Sequence, residues 1–317
     1  TIPVKPSRMR IAAYAAGAKL RLTERRMLLS NKKLTTEEKI EKSKGYVDEL
    51  TRLRNRIKAV QSAKKKLDVD DAELPTKLIK LYYSLNPGEV EFDKFRKSFI
   101  SKYVKNESEL EGVNDEDIHG KLEILGLADM YEYLQSEEME KFFSIYSLKD
   151  LHKKLFSHTP FPEYAGRFRN FDAYLPGTGI GLYEWSRINE EIYKISPDVD
   201  CLHDYSHFIK GSPDVNELLD FLDECIELKV DLIRIHPFHD GNGRTVRAFI
   251  NKLLMDGGLP PIYIKSNERT EYHTAMNRAL GEGDYSLIKA FYRYKICDSI
   301  YELDISQRNN ETIKKTR

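Results

Sequence analysis

Apolar residues recur at helical spacing along most of this chain. Apolar positions three or four residues apart, with charged residues between them, are typical of amphipathic helices. The pattern predicts helices over 7–29, 36–57, 78–85, 91–104, 122–134, 139–156, 215–235 and 244–255. We therefore expect a mainly α protein.

One segment departs from the helical pattern. Residues 166–185 contain four glycines and place Phe168, Phe171, Tyr174 and Leu175 at a spacing closer to that of a strand. This glycine content and spacing predict a small β-hairpin, or flap, as the one clear β element of the chain. Its exposed edge could pair with an extended peptide.

Breaks in the pattern divide the chain into four regions. We expect a basic helical region over 1–66, a second helical region over 67–124, a core domain over 125–305 and a polar tail over 306–317. Within the second region, the pattern over 106–114 predicts the polar end of a helix, with Gly112 as the residue that terminates it.

The charge distribution is uneven although the formal net charge is zero. Residues 1–66 hold 19 Lys and Arg against 6 Asp and Glu, so the rest of the chain carries the opposite excess. Such a region suits nucleic acid, an anionic membrane surface or an acidic partner. Solvated helix faces are favoured instead, because the basic residues alternate with helix formers rather than with stacking aromatics.

Composition also bears on the cellular compartment. No apolar run reaches the roughly 18 residues of a membrane span, and no basic-then-apolar leader precedes the first predicted helix, although a start at Thr1 leaves a removed leader open. The three cysteines, Cys201, Cys225 and Cys297, are widely spaced, which argues against a disulfide framework. We expect buried thiols in a cytoplasmic, reducing compartment.

The stretch C-L-H-D-Y-S-H-F places His203 and His207 one helical turn apart. Two histidines at this spacing can share a zinc ion. No third ligand is evident in the sequence, and Pro197 together with the Gly-Ser-Pro run at 211–213 limits the predicted helix to about three turns. Surface or helix-end histidines are therefore the favoured interpretation.

The densest chemistry lies between the helices predicted at 215–235 and 244–255, in the run H-P-F-H-D-G-N-G-R-T-V-R over 236–247. Gly241, Asn242 and Gly243 can adopt positive-φ conformations that turn successive backbone N–H groups into one concavity. The loop precedes a helix N-terminus, where the dipole and free donors favour phosphate oxygens. These features predict a phosphate-binding site.

Charged and titratable side chains complete this predicted site. Arg244 and Arg247 project from one side of the helix toward further phosphates. Asp240 suits a Mg²⁺ ion that bridges two phosphates. His236 can take a proton near neutral pH, and its place at a helix C-terminus is expected to strengthen it as a base. Together they indicate nucleotidyl or phosphoryl transfer to a hydroxyl, with a purely structural glycine loop as the alternative.

The run at 236–247 matches every defined position of H-P-F-x-(D/E)-G-N-G-R-x-x-R, the signature of Fic-domain proteins, and the chain resembles that family over roughly 107–300. The resemblance implies a Fic-type helical core and a protein adenylyltransferase, which moves AMP from ATP to a Ser, Thr or Tyr hydroxyl of a target protein. It implies His236 as the base, Asp240 as the Mg²⁺ ligand and Arg247 as the γ-phosphate ligand.

Further roles follow from the same resemblance. The loop Gly241-Asn242-Gly243 would form the anion hole, Phe238 would pack inward to fix that loop, and the hairpin would register the target peptide. Tyr272 falls where adenine-pocket residues are expected, although His273 follows it where many relatives carry a second Tyr.

Many Fic proteins also carry an inhibitory helix, (S/T)-x-x-x-E-(G/N), whose Glu pairs with the final Arg and blocks the γ-phosphate. Glu111-Gly112 matches this pattern, whereas position 107 is Glu and the nearby hydroxyl belongs to Ser108. The resemblance therefore implies autoinhibition by Glu111 acting on Arg247, with Ser108 as the helix hydroxyl. In some relatives that Glu also positions a water that removes AMP again.

Two other functions stay open at this point. The chain could be a Fic-type transferase for another nucleotide or phosphate donor, although relatives that phosphorylate replace the second loop glycine, here Gly243. It could also be a non-catalytic helical module whose residues 1–66 contact nucleic acid, but no recognised DNA-binding motif lies there. A homodimer is compatible with each of these functions.

Overall fold

The structure is a computed structural model, and it describes residues 89–299 apart from 114, 161–163, 176–177 and 211–214. Its helices are α1 (Glu89–Glu111), α2 (Ile118–Leu134), α3 (Glu137–Phe142), α4 (Ser147–Leu155), α5 (Ile188–Ile209), α6 (Val215–Ile235), α7 (Asn242–Asp256), α8 (Arg269–Glu282) and α9 over 286–299. Two 3₁₀ turns lie at Trp185–Arg187 and Ser266–Glu268. The helices predicted before residue 89, the basic region over 1–66 and the tail over 306–317 lie outside the described residues.

The prediction of a mainly α fold is confirmed, and several helix ends shift. The helix at Val215–Ile235 has the predicted bounds, whereas α1 continues to Glu111, where Gly112 ends it with a φ of 73°. The helix predicted over 139–156 is divided into α3 and α4. Its interruption follows from Ser147, whose hydroxyl accepts the Ser144 N–H at 3.1 Å and so offers the backbone a turn in place of a helix.

The helix carrying the two histidines is longer than predicted, because Pro197 lies inside α5 instead of limiting it. A proline within a helix removes one backbone hydrogen bond and costs about 3 kcal/mol. Buried apolar side chains on both sides of it, including Ile195, Val199 and Leu202, pack into the core and outweigh that cost. Packing therefore overrides the local signal.

The described part of the predicted hairpin does not form a regular ladder of paired strands. In the described part of 166–185, one antiparallel bridge joins Tyr174 to Gly181. The segment is held instead by Arg169, whose guanidinium donates to the backbone carbonyl oxygens of Phe171 at 2.6 Å and His236 at 2.7 Å. One buried side chain thus supplies hydrogen bonds that a second strand would otherwise provide.

The centre of the fold is α7, which is buried along nearly its whole length and packs against α2, α4, α5 and α6. The apolar stripe of α6 lies beside it. The predicted division at residue 124 falls within α2, and α2 contacts α1, α4 and α7. The described part of the second region is therefore packed on the core domain.

The structure bears on the expectations for membrane spans and for the cysteines. Among the described residues, no helix has the length and apolar character needed to cross a bilayer. Cys201, Cys225 and Cys297 are free thiols, and Cys225 and Cys297 are buried, as expected for small apolar core residues.

The contact between α2 and α4 depends on Gly126. A Cβ atom at this position would lie 1.9 Å from the carbonyl oxygen of Leu155, which is part of the α4 backbone and cannot rotate away. We expect Gly126→Ala to lower the free energy of unfolding by about 2 kcal/mol or more, as overpacking does in a close-packed core. Chemical denaturation measures this change.

Gly281→Ala is the matched control for this substitution. Its nearest neighbour would be Ile180 Cγ1 at 3.7 Å, an ordinary contact, so alanine is expected to stabilise α8 by about 0.5–1 kcal/mol. Equal effects of the two substitutions would contradict the close approach of α2 and α4.

Candidate active site

The loop between α6 and α7 is held in a single conformation by its own side chains. His236 has a φ of 49°, an unusual value for a residue with a side chain, and Gly241 has a φ of 68°. Asn242 closes the loop, since its side-chain oxygen accepts the Phe238 N–H and its amide donates to the Phe238 carbonyl, both at 2.8 Å. Phe238 is fully buried, as the Fic resemblance implied.

The two loop glycines serve different purposes, which corrects the expectation that both take positive φ. Gly241 is left-handed, whereas Gly243 lies in the first turn of α7. A Cβ atom on Gly243 would be 2.6 Å from Glu111 Oε1 and 2.9 Å from Arg247 Nη1. Glycine is needed there because charged side chains approach the backbone closely. The start of α7 leaves backbone N–H groups free of helical partners, and such groups are of the kind that bind anions.

His152 supports the loop from α4. Its Nδ1 accepts the Gly166 N–H at 2.9 Å, so the ring proton is on Nε2, which donates to the Asp240 carbonyl oxygen at 3.0 Å. The ring stacks on Phe238 with centroids 3.9 Å apart. Burial lowers the pKa of His152 to about 4, which keeps the imidazole neutral and its two opposite hydrogen bonds intact.

Asp240 and Arg244 lie side by side at the mouth of the loop. The Asp240 side chain is 68% exposed, and its Oδ1 accepts the Gly241 N–H at 2.6 Å and lies 3.7 Å from Arg244 Nη2. Arg244 is buried and pairs with Glu123 on α2. A cavity of about 300 Å³ opens beside these residues and is also lined by Glu111. The carboxylate is thus accessible from a space that a phosphate chain could enter.

His236 is more buried than its place at a helix end suggested. Burial lowers the pKa of His236 from its ordinary value, and the Ile233 carbonyl and the Asp240 charge oppose this only in part. The net shift is therefore opposite to the stronger base that was expected, and desolvation of the imidazolium is its largest cause. The lowered pKa still leaves a neutral imidazole, able to accept a proton, at neutral pH.

Arg247 is bound by two carboxylates from α1. Glu107 accepts from Arg247 Nε at 2.8 Å and from Nη2 at 2.7 Å, and Glu111 accepts from Nη2 as well. Glu107 is fully buried, whereas the Glu111 side chain is 32% exposed and faces Gly243 and the cavity. The two acids therefore share one guanidinium: both contact Nη2, and Glu107 alone also contacts Nε.

The electrostatics of this cluster follow from its burial. Desolvation raises the pKa of Glu107 despite the Arg247 charge. Desolvation also acts on Glu111, but the charge and hydrogen bond of Arg247 outweigh it and lower the pKa of Glu111. Burial opposes the charge on Arg247, and the two carboxylates raise its pKa well above the ordinary value. Glu111 is therefore ionised against a permanent cation.

Ser108 and Tyr272, two further predicted site residues, are placed differently. The Ser108 hydroxyl donates to the Val104 carbonyl one turn earlier in α1, at 2.8 Å, and Glu107 takes the position against Arg247. Tyr272 is buried, its ring lies 5.9 Å from the Arg247 guanidinium, and its hydroxyl accepts from Lys229 at 2.8 Å. The structure thus brings Tyr272, but not the Ser108 hydroxyl, to the Arg247 cluster.

Four residues of this site carried no signal that identified them in the sequence. They are Glu107, Glu123, His152 and Arg169. Each is a single polar residue in an otherwise ordinary segment, and each acts through a partner between 66 and 140 positions away. Glu107 was noted only as a departure from the hydroxyl pattern of the family.

Residues 142–254 match the family model described as the Fic/DOC family. The curated "Protein adenylyltransferase Fic" of Nematostella vectensis is 27% identical over 174 residues, which make up 54% of this chain and 36% of that protein. The chain therefore spans little more than a third of the length of this relative.

Two solved structures share the fold. Fic-1 from C. elegans aligns with a TM-score of 0.58 at 20% identity, over 85% of this chain and 83% of that one. A Fic domain containing signaling protein from Bacteroides thetaiotaomicron aligns with a TM-score of 0.60 at 16% identity, over 74% of this chain and 98% of that one. At these identities the likeness concerns the fold alone.

The buried His152 makes stability depend on pH. An unfolded chain protonates this imidazole below pH 6.5, but the folded protein does so only near pH 4. As the pH falls from 6.5 toward 4, the preference of this group for the unfolded chain therefore lowers the free energy of unfolding by about 3 kcal/mol. Urea unfolding between pH 7 and 4 should show a smaller loss in His152→Gln than in the wild type.

His158→Gln is the control, since it removes an exposed imidazole that pairs with Asp129. Its loss of stability between pH 7 and 4 should be larger than that of His152→Gln. A profile of His152→Gln that matches the wild type would contradict the neutral, buried state of His152.

Proposed function

We propose that this chain, whose residues 142–254 match the Fic/DOC family model, is a protein adenylyltransferase whose own α1 helix holds it inactive. It would transfer AMP from ATP to a Ser, Thr or Tyr hydroxyl of a target protein. The observation that carries the proposal is the contact of Glu111 with Arg247 directly above Gly243, at the anion-binding start of α7. The same loop holds His236 and Asp240.

The chemistry assigned to this chain begins with proton transfer. Nδ1 of His236 is buried, so Nε2 is the ring nitrogen left to accept the proton of the target hydroxyl. The hydroxyl oxygen then bonds to the α-phosphorus of ATP, the bond between that phosphorus and the bridging oxygen breaks, and pyrophosphate leaves. The backbone N–H groups at the start of α7 and the Arg244 guanidinium stabilise the charge that develops on phosphate oxygens.

Asp240 has the properties of a Mg²⁺ ligand. Its carboxylate is exposed at the cavity, and Mg²⁺ in phosphate sites is commonly held by one or two carboxylates, waters and the phosphates themselves. When bound, the ion would neutralise charge on the α- and β-phosphates.

Inhibition follows from competition for Arg247. Glu111, which lines the cavity, accepts from Arg247 Nη2, and a γ-phosphate would require donors of the same guanidinium. An ATP molecule whose γ-phosphate is displaced presents its α-phosphorus at the wrong angle to the acceptor, so transfer is slow. Removal of AMP from a modified target, with the Glu111 carboxylate orienting a water, is the second activity that we propose for this site.

Labelling with ATP tests the transferase directly. Glu111→Gly should raise Mg²⁺-dependent incorporation from α-³²P-ATP by roughly tenfold or more, the effect of about 1.4 kcal/mol on the barrier. Adding His236→Ala to that variant should lower incorporation by about 10²–10⁴-fold, because the base is lost. Label from γ-³²P-ATP, or none in Glu111→Gly although it binds ATP, would overturn the proposal.

The two glutamates of α1 are expected to differ in role. Glu111→Gln should activate transfer, because it removes the charge that faces the cavity. Glu107→Gln should leave transfer low, since Glu111 still covers Arg247, and should reduce the unfolding free energy because a buried ion pair loses one partner. Activation by Glu107→Gln to the level of Glu111→Gln would show instead that both acids block the phosphate.

A further inference from the structure

A second group of metal-ligating side chains lies outside the candidate active site. His203 and His207, on the last turns of α5, and Asp256, the last residue of α7, bring one ligand atom each within 4.8 Å of one another. The Nε2 atoms of the two histidines are 2.9 Å apart, and His203 Nε2 is 3.7 Å from Asp256 Oδ2. The third ligand that the sequence lacked thus comes from a residue 49 or more positions further along the chain.

The carboxylate of Asp256 is arranged to receive a cation. Its side chain is 7% exposed, and Oδ2 has no hydrogen-bond partner among the residues that the structure describes. Its other oxygen, Oδ1, accepts from Lys252, which is also paired with Glu140. An unsatisfied buried carboxylate oxygen is costly, and here it lies 3.7 Å from His203 Nε2, with a ligand atom of His207 within 4.8 Å of the group.

We propose that His203, His207 and Asp256 bind a divalent transition-metal ion of the zinc class. Ligand bonds of about 2.0–2.1 Å in a tetrahedral site place neighbouring ligand atoms about 3.3 Å apart, and the two separations given above bracket that value. Imidazole ligands favour Zn²⁺, Co²⁺ or Ni²⁺ over Mg²⁺. The exposed side of His207 leaves the fourth position to water.

The surroundings of the three ligands support the same assignment. One of the two facing Nε2 atoms must carry a proton to make the 2.9 Å contact, and a metal ion replaces that proton by accepting both lone pairs. The hydrogen bond from Lys252 orients the ligating carboxylate, as outer partners do in metal sites. His203 also packs on the ring of Phe143, with centroids 4.7 Å apart.

This site would join two core helices at a distance from the phosphate loop. Asn242 and Asp256 mark the two ends of α7, which are about 21 Å apart at the usual helical rise. A metal ion would connect the C-terminal part of α5 to the C-terminal end of α7. Its expected effect is therefore on stability, and its detection does not depend on transferase activity.

The test uses the full chain, stripped of metal and held in excess Mg²⁺ as a competitor for Asp240. Titration calorimetry with Zn²⁺ should show one bound ion and a rise in Tm, and Co²⁺ should give the visible absorption of a tetrahedral site. His207→Ala, at an exposed position, should weaken Zn²⁺ binding by roughly 100-fold, and Asp256→Asn should do the same while keeping the side-chain volume.

His158→Ala is the matched control, because His158 is an exposed histidine with one carboxylate, Asp129, at 2.6 Å. It should change the Zn²⁺ affinity less than about twofold. The proposal is overturned if the wild type binds no stoichiometric Zn²⁺, or if His207→Ala and Asp256→Asn bind it as tightly as the wild type does.

Discussion

A buried guanidinium must have carboxylates close to it, and the arrangement of α1 on the core depends on this constraint. Arg247 is surrounded by protein, and both acids that compensate its charge come from α1. Removing one partner of a buried ion pair typically costs 3–5 kcal/mol, because an uncompensated charge remains inside. The helix that supplies Glu107 and Glu111 is therefore fixed over the start of α7 by the same interaction that covers the candidate phosphate site.

The rest of α7 follows the same rule. A helix that is buried on all sides would ordinarily be apolar, but α7 carries Arg244, Arg247, Asn251 and Lys252 into the core. Each of them has a partner on another element. Arg244 pairs with Glu123 of α2, Asn251 exchanges two hydrogen bonds with the backbone of Ile262, and Lys252 reaches Glu140 of α3. These pairs specify which element packs on which side of the central helix.

Sequence reasoning succeeded where the determining interactions are local. The apolar stripe of Val215–Ile235 fixed the bounds of α6, and the spacing within 236–247 located the loop, because both depend on residues within a few turns of one another. It failed where residues far away in the sequence determine the local structure. Pro197 lies inside a helix because the core packs around it, and Arg169 replaces a strand ladder with bonds to carbonyl groups more than sixty residues away.

The pH behaviour of His236 and the role of Glu107 were missed for the same reason. The position of His236 at a helix end predicted a stronger base, but the surrounding protein buries it and desolvation lowers its pKa. Glu107 departs from the hydroxyl pattern of the family, and the fold places its carboxylate 2.8 Å from Arg247 Nε. Burial of a charge is set by the whole fold, so a single segment cannot reveal it.

The presence of two acids on one arginine bears on how the proposed inhibition could be relieved. If Glu111 were the sole partner, its departure would leave Arg247 buried and unpaired until a phosphate arrived, at the cost of a broken buried ion pair. Glu107 remains on Nε and Nη2 when Glu111 moves, so the guanidinium stays compensated and keeps its orientation. Glu111 is the more exposed of the two and lines the cavity, so it can leave toward solvent while Glu107 stays buried. In the proposed mechanism the departure of Glu111 alone opens the Arg247 guanidinium to a phosphate, while Glu107 keeps α1 attached to it.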